Sequence, residues 1–195
     1  MKNIFIWLTI LFVSIANIDA QNLILEQDQR IKDKFYYEHT DLSFFAKDYK
    51  NVKAFTGYRF IVEDKNDWKS YSRFHAGANV KLEKKWGKIV FRNRYEFTPG
   101  HELGNLRADN NSRFRERVKY YLPLKYTKYE IQPNISDEFF FDINKGFGYT
   151  RNRFAIGLGA KIGKFKPELY YFQEFKKSSG WRGQNVLGFL VKYVF

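Results

Sequence analysis

Arginine recurs at every second position in three places along the chain: Arg92 and Arg94; Arg113, Arg115 and Arg117; and Arg151 and Arg153. Carboxylates that could answer them stand at Glu96, Glu130, Glu138, Glu168 and Glu174, and Arg59, Arg73 and His75 extend the set. Guanidinium groups on one side of a strand have two uses. Lining an enclosed path, they bias it toward negative solutes. Facing carboxylates from neighbouring strands, they pair off into a packed and largely closed interior. Spacing alone leaves both uses open.

Histidine offers a different chemistry. His39, Asp41 and Ser43 have the residue types of base, orienter and nucleophile. On a strand, however, successive members stand ~6.8 Å apart at ~3.4 Å per residue, too far for a hydrogen-bonded relay along one strand. Polar packing inside the fold is the expectation for the trio, although Tyr36, Leu42 and Phe44 make the opposite side the greasier one. His75 set against Glu96 has the makings of a base and its orienter, or of one more satisfied pair. His101 lies in a long connection beside Glu102, and three histidines so scattered show no metal-ligand spacing. The chain has no cysteine, which removes thiol and disulfide chemistry. No metal, cofactor or catalytic constellation is expected.

The elements that must carry these residues show a period of two. Ten segments alternate, each near the ~9–11 residues that a tilted membrane strand needs. They lie near 22–31, 34–45, 51–62, 70–83, 87–98, 112–122, 126–140, 149–162, 165–176 and 184–195. In the fourth, Phe74, Ala76, Ala78, Val80 and Leu82 share one face against Tyr71, Arg73, His75, Asn79 and Lys81. In the last, Leu187, Phe189, Val191, Tyr193 and the terminal Phe195 share a face, the pattern of a closing strand and assembly signal in an outer-membrane barrel. Connections alternate between short and long, as periplasmic turns and outer loops do.

Turn chemistry sets register. Gly163-Lys164 suits a two-residue hairpin and places Gly157 opposite Tyr170 and Arg153 opposite Glu174. The turn near Lys84 to Trp86 sets His75 against Glu96, and a tight turn over 123–125 would bring Glu116 to Pro133. Asn93, Glu116 and Asp137 are misfits on the apolar face. They imply either a weak seam between the sixth and seventh strands or a bulge that turns Glu116 inward.

Composition agrees with a barrel. Mean hydropathy is -0.54, because only alternate residues of a membrane strand meet lipid, while aromatic residues reach 20%. Lys2, the apolar run from Ile4 to Ile15 and a small-residue end at Ala20 read as a signal peptide over 1–20, leaving 21–195 as one barrel domain. That leader holds one base and one acid, so the formal charge stays at +13. The basic residues alternate into an enclosed face and form no exposed stripe, which argues against a nucleic-acid partner.

The ordered set Tyr58-Arg59, Arg92-Asn93-Arg94-Tyr95, Arg113 with Arg115 and Arg117, Asp137-Glu138, Arg151-Asn152-Arg153 and terminal Phe195 resembles the uncharacterised bacterial family called domain of unknown function 2490. The resemblance covers most of 21–195 and implies an outer-membrane β-barrel of a Gram-negative bacterium of the Bacteroidetes, with no assigned activity. We therefore expect an all-β, antiparallel, up-and-down transmembrane barrel of about ten strands, with eight or twelve as alternative counts. The functional expectation is a non-enzymatic barrel, structural or a narrow channel for small anionic solutes. The alternatives are a lipid-acting enzyme of the deacylase or phospholipase type and a surface-binding barrel. Expected partners are outer-membrane lipids, lipopolysaccharide near Trp68, Arg107, Lys176, Lys177, Trp181 and Arg182, and the assembly machinery that reads the strand ending at Phe195.

Overall fold

The computed structural model describes residues 23–195 other than 33–34, 48, 65–67, 104–105, 109 and 178–179. The side chains of 35 and 101–108, and with them those of His101, Glu102 and Arg107, lie outside the described residues, as does the leader over 1–20. In chain order the strands are β1 (Leu23–Ile31), β2 (Phe35–Phe45), β3 (Val52–Asp64), β4 (Trp68–Lys84), β5 (Gly87–Thr98), β6 (His101–Leu103), β7 (Leu106–Ala108), β8 (Asn111–Tyr121), β9 (Gln132–Asp142), β10 (Gly148–Gly159), β11 (Phe165–Lys177) and β12 (Trp181–Val194). β6 and β7 make a small hairpin within one long connection. The other ten close into an up-and-down barrel, each antiparallel to its neighbours, with β12 returning to β1.

Alternation decides which side is which. The side chains that the closed wall buries include Asp41, Arg59, Arg94, Glu96, Arg115, Glu138 and Glu174, while Phe60, Phe74, Phe91, Phe154, Leu158 and Leu187 are exposed. A barrel made for water would bury its apolar face. This one turns that face outward along the barrel strands from β3 onward, as a wall standing in hydrocarbon must. The seam between first and last strands is covered by Leu23, Leu25 and Phe195, packed with Leu42 and Tyr193. There the Phe195 amide donates to the Leu23 carbonyl at 3.2 Å.

Three tight turns hold the register. Lys50 and Asn51 both adopt positive φ, at 46° and 70°, between Tyr49 and Val52, the geometry whose twist suits a two-residue hairpin. Lys84 pairs with Gly87, and that turn sets His75 opposite Glu96 as its spacing predicts. Gly163, at φ 60°, opens the hairpin between Ile162 and Phe165 and sets Gly157 opposite Tyr170 and Arg153 opposite Glu174.

One expected turn is different. β9 begins at Gln132, not near 126, because Tyr126 and Ile131 pair with each other around a local turn in which Thr127 and Glu130 take positive φ. The connection after β8 is thus longer than the tight turn expected over 123–125. Glu116 consequently faces Phe139, and Pro133 lends its carbonyl to the Leu122 amide at 3.1 Å. The ladder between β8 and β9 runs without a register shift from Arg113 to Tyr121. No bulge is present there. Glu116 stays exposed on the outer wall beside Asn93, and Asp137 accepts a hydrogen bond from Asn152 at 2.6 Å.

Candidate functional site: a charged lumen

The lumen has two zones. The one nearer the long connections is a packed layer centred on Glu96, whose side chain is 1% exposed. Neighbouring strands alternate in direction, so inward positions on β4, β5 and β8 bring Arg73, Arg94, Arg113 and Arg115 around that single carboxylate. Arg94 Nη2 stands 2.7 Å from it, Arg115 Nη1 2.5 Å and Arg73 Nη1 3.4 Å, and Arg113 also bonds it. Arg115 continues to Glu138 at 2.6 Å, and Arg153 bridges Glu138 at 3.5 Å and Glu174 at 2.5 Å. Arg151 closes on Glu174 at 3.3 Å. Each guanidinium here answers a carboxylate at low local dielectric, the arrangement a buried ion needs.

Aromatic rings fill the gaps in this layer. Phe140, 2% exposed, lies under the guanidinium groups of Arg113, Arg115, Arg151 and Arg153 at 4.6–5.5 Å. Arg153 also lies over Phe172 at 4.3 Å, and Arg30 over Tyr37 at 4.3 Å. Glycine makes the room for two large groups. A Cβ on Gly188 would lie 2.2 Å from the Tyr170 ring, and one on Gly57 would lie 2.6 Å from His75 Nε2. Tyr170 thus reaches across to β1, donating to Asp28 and accepting from Arg30 Nε at 3.0 Å.

The second zone opens at the end that holds the tight turns and Phe195. A vestibule of about 430 Å³ carries Lys88, Lys125, Lys161, Lys166 and Lys192 against Glu83, Glu130 and Glu168, with Arg92 at its inner end. Arg92, Glu168 and Lys192 line it and also an inner cavity of about 70 Å³, so the two are continuous. Lys119 reaches Glu168 across the lumen at 2.6 Å, and Lys192 meets Glu26 at 3.2 Å. Arg92 hydrogen-bonds Asn79 at 2.7 Å; Arg117, directly opposite it on β8, makes no hydrogen bond or ion pair among the described residues.

Glu130 is the one residue of the expected charged set that does not stand on a strand's inner face; it lies at the rim of the vestibule. It stands in the turn before β9, its side chain 40% exposed, with Lys125 Nζ at 2.5 Å and Lys161 at 3.8 Å. The Lys125 hydrogen bond and charge hold its carboxyl below the ordinary carboxylate range. Its placement follows from the late start of β9.

His39 and His75 are buried in the wall's inner face. His39 Nε2 lies 3.4 Å from Glu26, and its Nδ1 lies 3.6 Å from Asp28. Asp41 binds Arg59 through two contacts of 2.7 and 2.8 Å. Ser43 Oγ donates to Asp41 at 2.6 Å and stands 3.1 Å from His75 Nε2. The sequence missed that Ser43 meets the histidine of another strand. A nucleophile relay places the carboxylate on the second ring nitrogen. Here Asp41 approaches the same Nε2, at 3.6 Å, and His75 Nδ1 is buried with no partner. Glu96, its strand neighbour, turns to the arginines instead.

A family described as a protein of unknown function (DUF2490) matches residues 9–185. The chain belongs to that family. No curated protein matches it. Among solved structures, the NanC porin is similar at 10% identity and TM-score 0.49, over 89% of this chain and 100% of that one. The β domain of the Bordetella autotransporter BrkA is similar at 12% identity and TM-score 0.46, over 91% and 100%. The translocator domain of autotransporter NalP from Neisseria meningitidis gives 13% and 0.44, over 100% and 96%. The family carries no assigned activity.

Proposed function

We propose that this DUF2490 protein is a non-enzymatic barrel of the bacterial outer membrane that handles small anionic solutes, with the Glu96 layer as its constriction. The observation that carries this reading is the charge of the inner cavity: nine cationic side chains line it against four carboxylates. A low-dielectric wall focuses such a field and raises the local concentration of anions. The basic vestibule supplies the approach, and the paired arginines beyond it leave no wide water path. The outward apolar wall supports a membrane location. Trp181, half-exposed and packed at a tilt against Tyr149 with ring centroids 5.3 Å apart, supports an interfacial anchor near lipopolysaccharide. The terminal strand is the segment the assembly machinery would engage.

Purified protein in planar bilayers under a salt gradient tests the reading. It expects small unitary currents whose reversal potential lies toward the anion's. A silent barrel or a cation-selective one overturns it. The contact between Ser43 and His75 favours a second reading, a lipid-acting hydrolase. Hydrolysis of phospholipid or acylated lipid A that is lost on Ser43→Ala would establish that activity, and its absence in the parent would remove it.

A further inference from the structure

The pairing of charges in the inner cavity can be followed residue by residue. Arg30 is held by Asp28 at 2.6 Å, Arg59 by Asp41, Arg94 and Arg115 by Glu96, Arg153 by Glu174, Lys119 by Glu168 and Lys192 by Glu26. Two lining cations remain, Arg92 and Arg117. They are direct neighbours across the β5–β8 ladder, both pointing into the cavity. Glu138 stands opposite Arg117 on β9, but its two oxygens are turned to Arg115 and Arg153. The Nε of Arg117 is buried without an acceptor, and so are the Nε atoms of Arg94 and Arg115 on the same wall.

A buried charge without a counter-charge is costly. Water satisfies an N–H group but does not neutralise two adjacent guanidinium ions. A planar or tetrahedral oxyanion does both, because its oxygens match the guanidinium fork. A volume of 70 Å³ exceeds the ~10–15 Å³ that one water needs and suits a small group of this kind. We infer that Arg92 and Arg117 form a binding site for a small oxyanion, a carboxylate or phosphate group, entered from the basic vestibule. This rests on the anion reading above and gives it a definite seat.

The test uses the full mature barrel, refolded in detergent, with inorganic phosphate and acetate as probes against chloride at equal ionic strength. Phosphate or acetate raises the unfolding midpoint of the parent protein above its value in chloride, and isothermal titration gives a saturable site. The response to the two probes tells which oxyanion class is preferred. Arg117→Gln and Arg92→Gln weaken binding at least tenfold, whereas Lys50→Gln, on an exposed turn, leaves it unchanged. In chloride alone Arg117→Gln unfolds at the same midpoint as the parent or higher, since it removes an unpaired charge. A merely structural Arg117 would lower that midpoint. Arg117→Lys keeps the charge, loses the fork and binds more weakly than the parent. Equal affinity in Arg117→Gln and parent, an effect of chloride as large as that of both oxyanions, or a variant destabilised without any probe overturns the site. Bilayer currents separate the two ideas: anion selectivity that survives Arg117→Gln leaves the conduit reading standing while the seat falls, and phosphate binding by a silent barrel does the reverse.

Discussion

Replacing Glu96 with Gln keeps the shape of the lumen layer and removes one negative charge from its centre. Arg73 and Arg115 retain other polar partners, Thr98 at 2.9 Å and Glu138 at 2.6 Å. Arg94 and Arg113 have no other carboxylate partner among the described residues. Because one lost charge strands both, the cost is counted once, at about 3–5 kcal/mol for a buried pair broken from one side. Glu130→Gln is the matched control. It removes the same group from the same kind of contact, Lys125 at 2.5 Å, but at a 40% exposed site, where water screens the pair and the loss should be small. Urea unfolding in lipid vesicles, followed by tryptophan fluorescence, measures both on one scale. Trp68, Trp86 and Trp181 are all exposed and report on unfolding of the wall. The two variants should differ by at least ~2 kcal/mol if burial sets the value of the charge. Equal losses, or a stability for Glu96→Gln within ~1 kcal/mol of the parent, would refute the layer as a charge-paired constriction.

Two further outcomes follow from the packing. Gly188→Val drives a side chain into the Tyr170 ring, where even a Cβ would lie at 2.2 Å, and should destabilise by about 1–3 kcal/mol. Tyr170→Ala in the same chain should recover part of that loss, so a strictly additive double variant in the same unfolding assay would count against the contact. Glu116→Leu removes a mid-strand carboxylate from the outer wall and should raise stability in bilayers by about 1 kcal/mol, less than the ~2–4 expected for a basic residue at that depth. A loss of stability would mean that Glu116 is engaged by something other than lipid.

Local chemistry made much of the barrel readable before its structure. A strand in hydrocarbon must be apolar on every second residue, and that rule alone marks the wall from β3 to β5 and from β10 to β12. Turns of fixed length then carry register outward from Gly163 and Lys84, which is why Arg153 meets Glu174 and His75 meets Glu96 on the ladder. The rule fails where a segment satisfies both faces. Phe139-Phe140-Phe141 is apolar on both faces, so only its spacing from Glu138 turns Phe140 inward, and nothing there foretells the four arginines over its ring. β1 and β2 place Gln27 and Glu38, hydrogen-bonded at 2.5 Å, on the outer face, so polarity does not tell their two sides apart.

Contacts across the lumen are harder still to foresee. Tyr170 and Asp28 lie 142 residues apart, and Lys119 and Glu168 lie 49 apart on strands that do not touch. No register argument joins them, because register relates only adjacent strands. Ser43 needs a third strand to meet His75 for the same reason. Arg92 and Arg117 show the sharper consequence. Their strand pairing is local, but the absence of a carboxylate partner follows only after every other charge in the cavity has been assigned. A chain that encodes its wall residue by residue therefore encodes its binding chemistry collectively, in the cations left over when the cross-lumen pairs have formed.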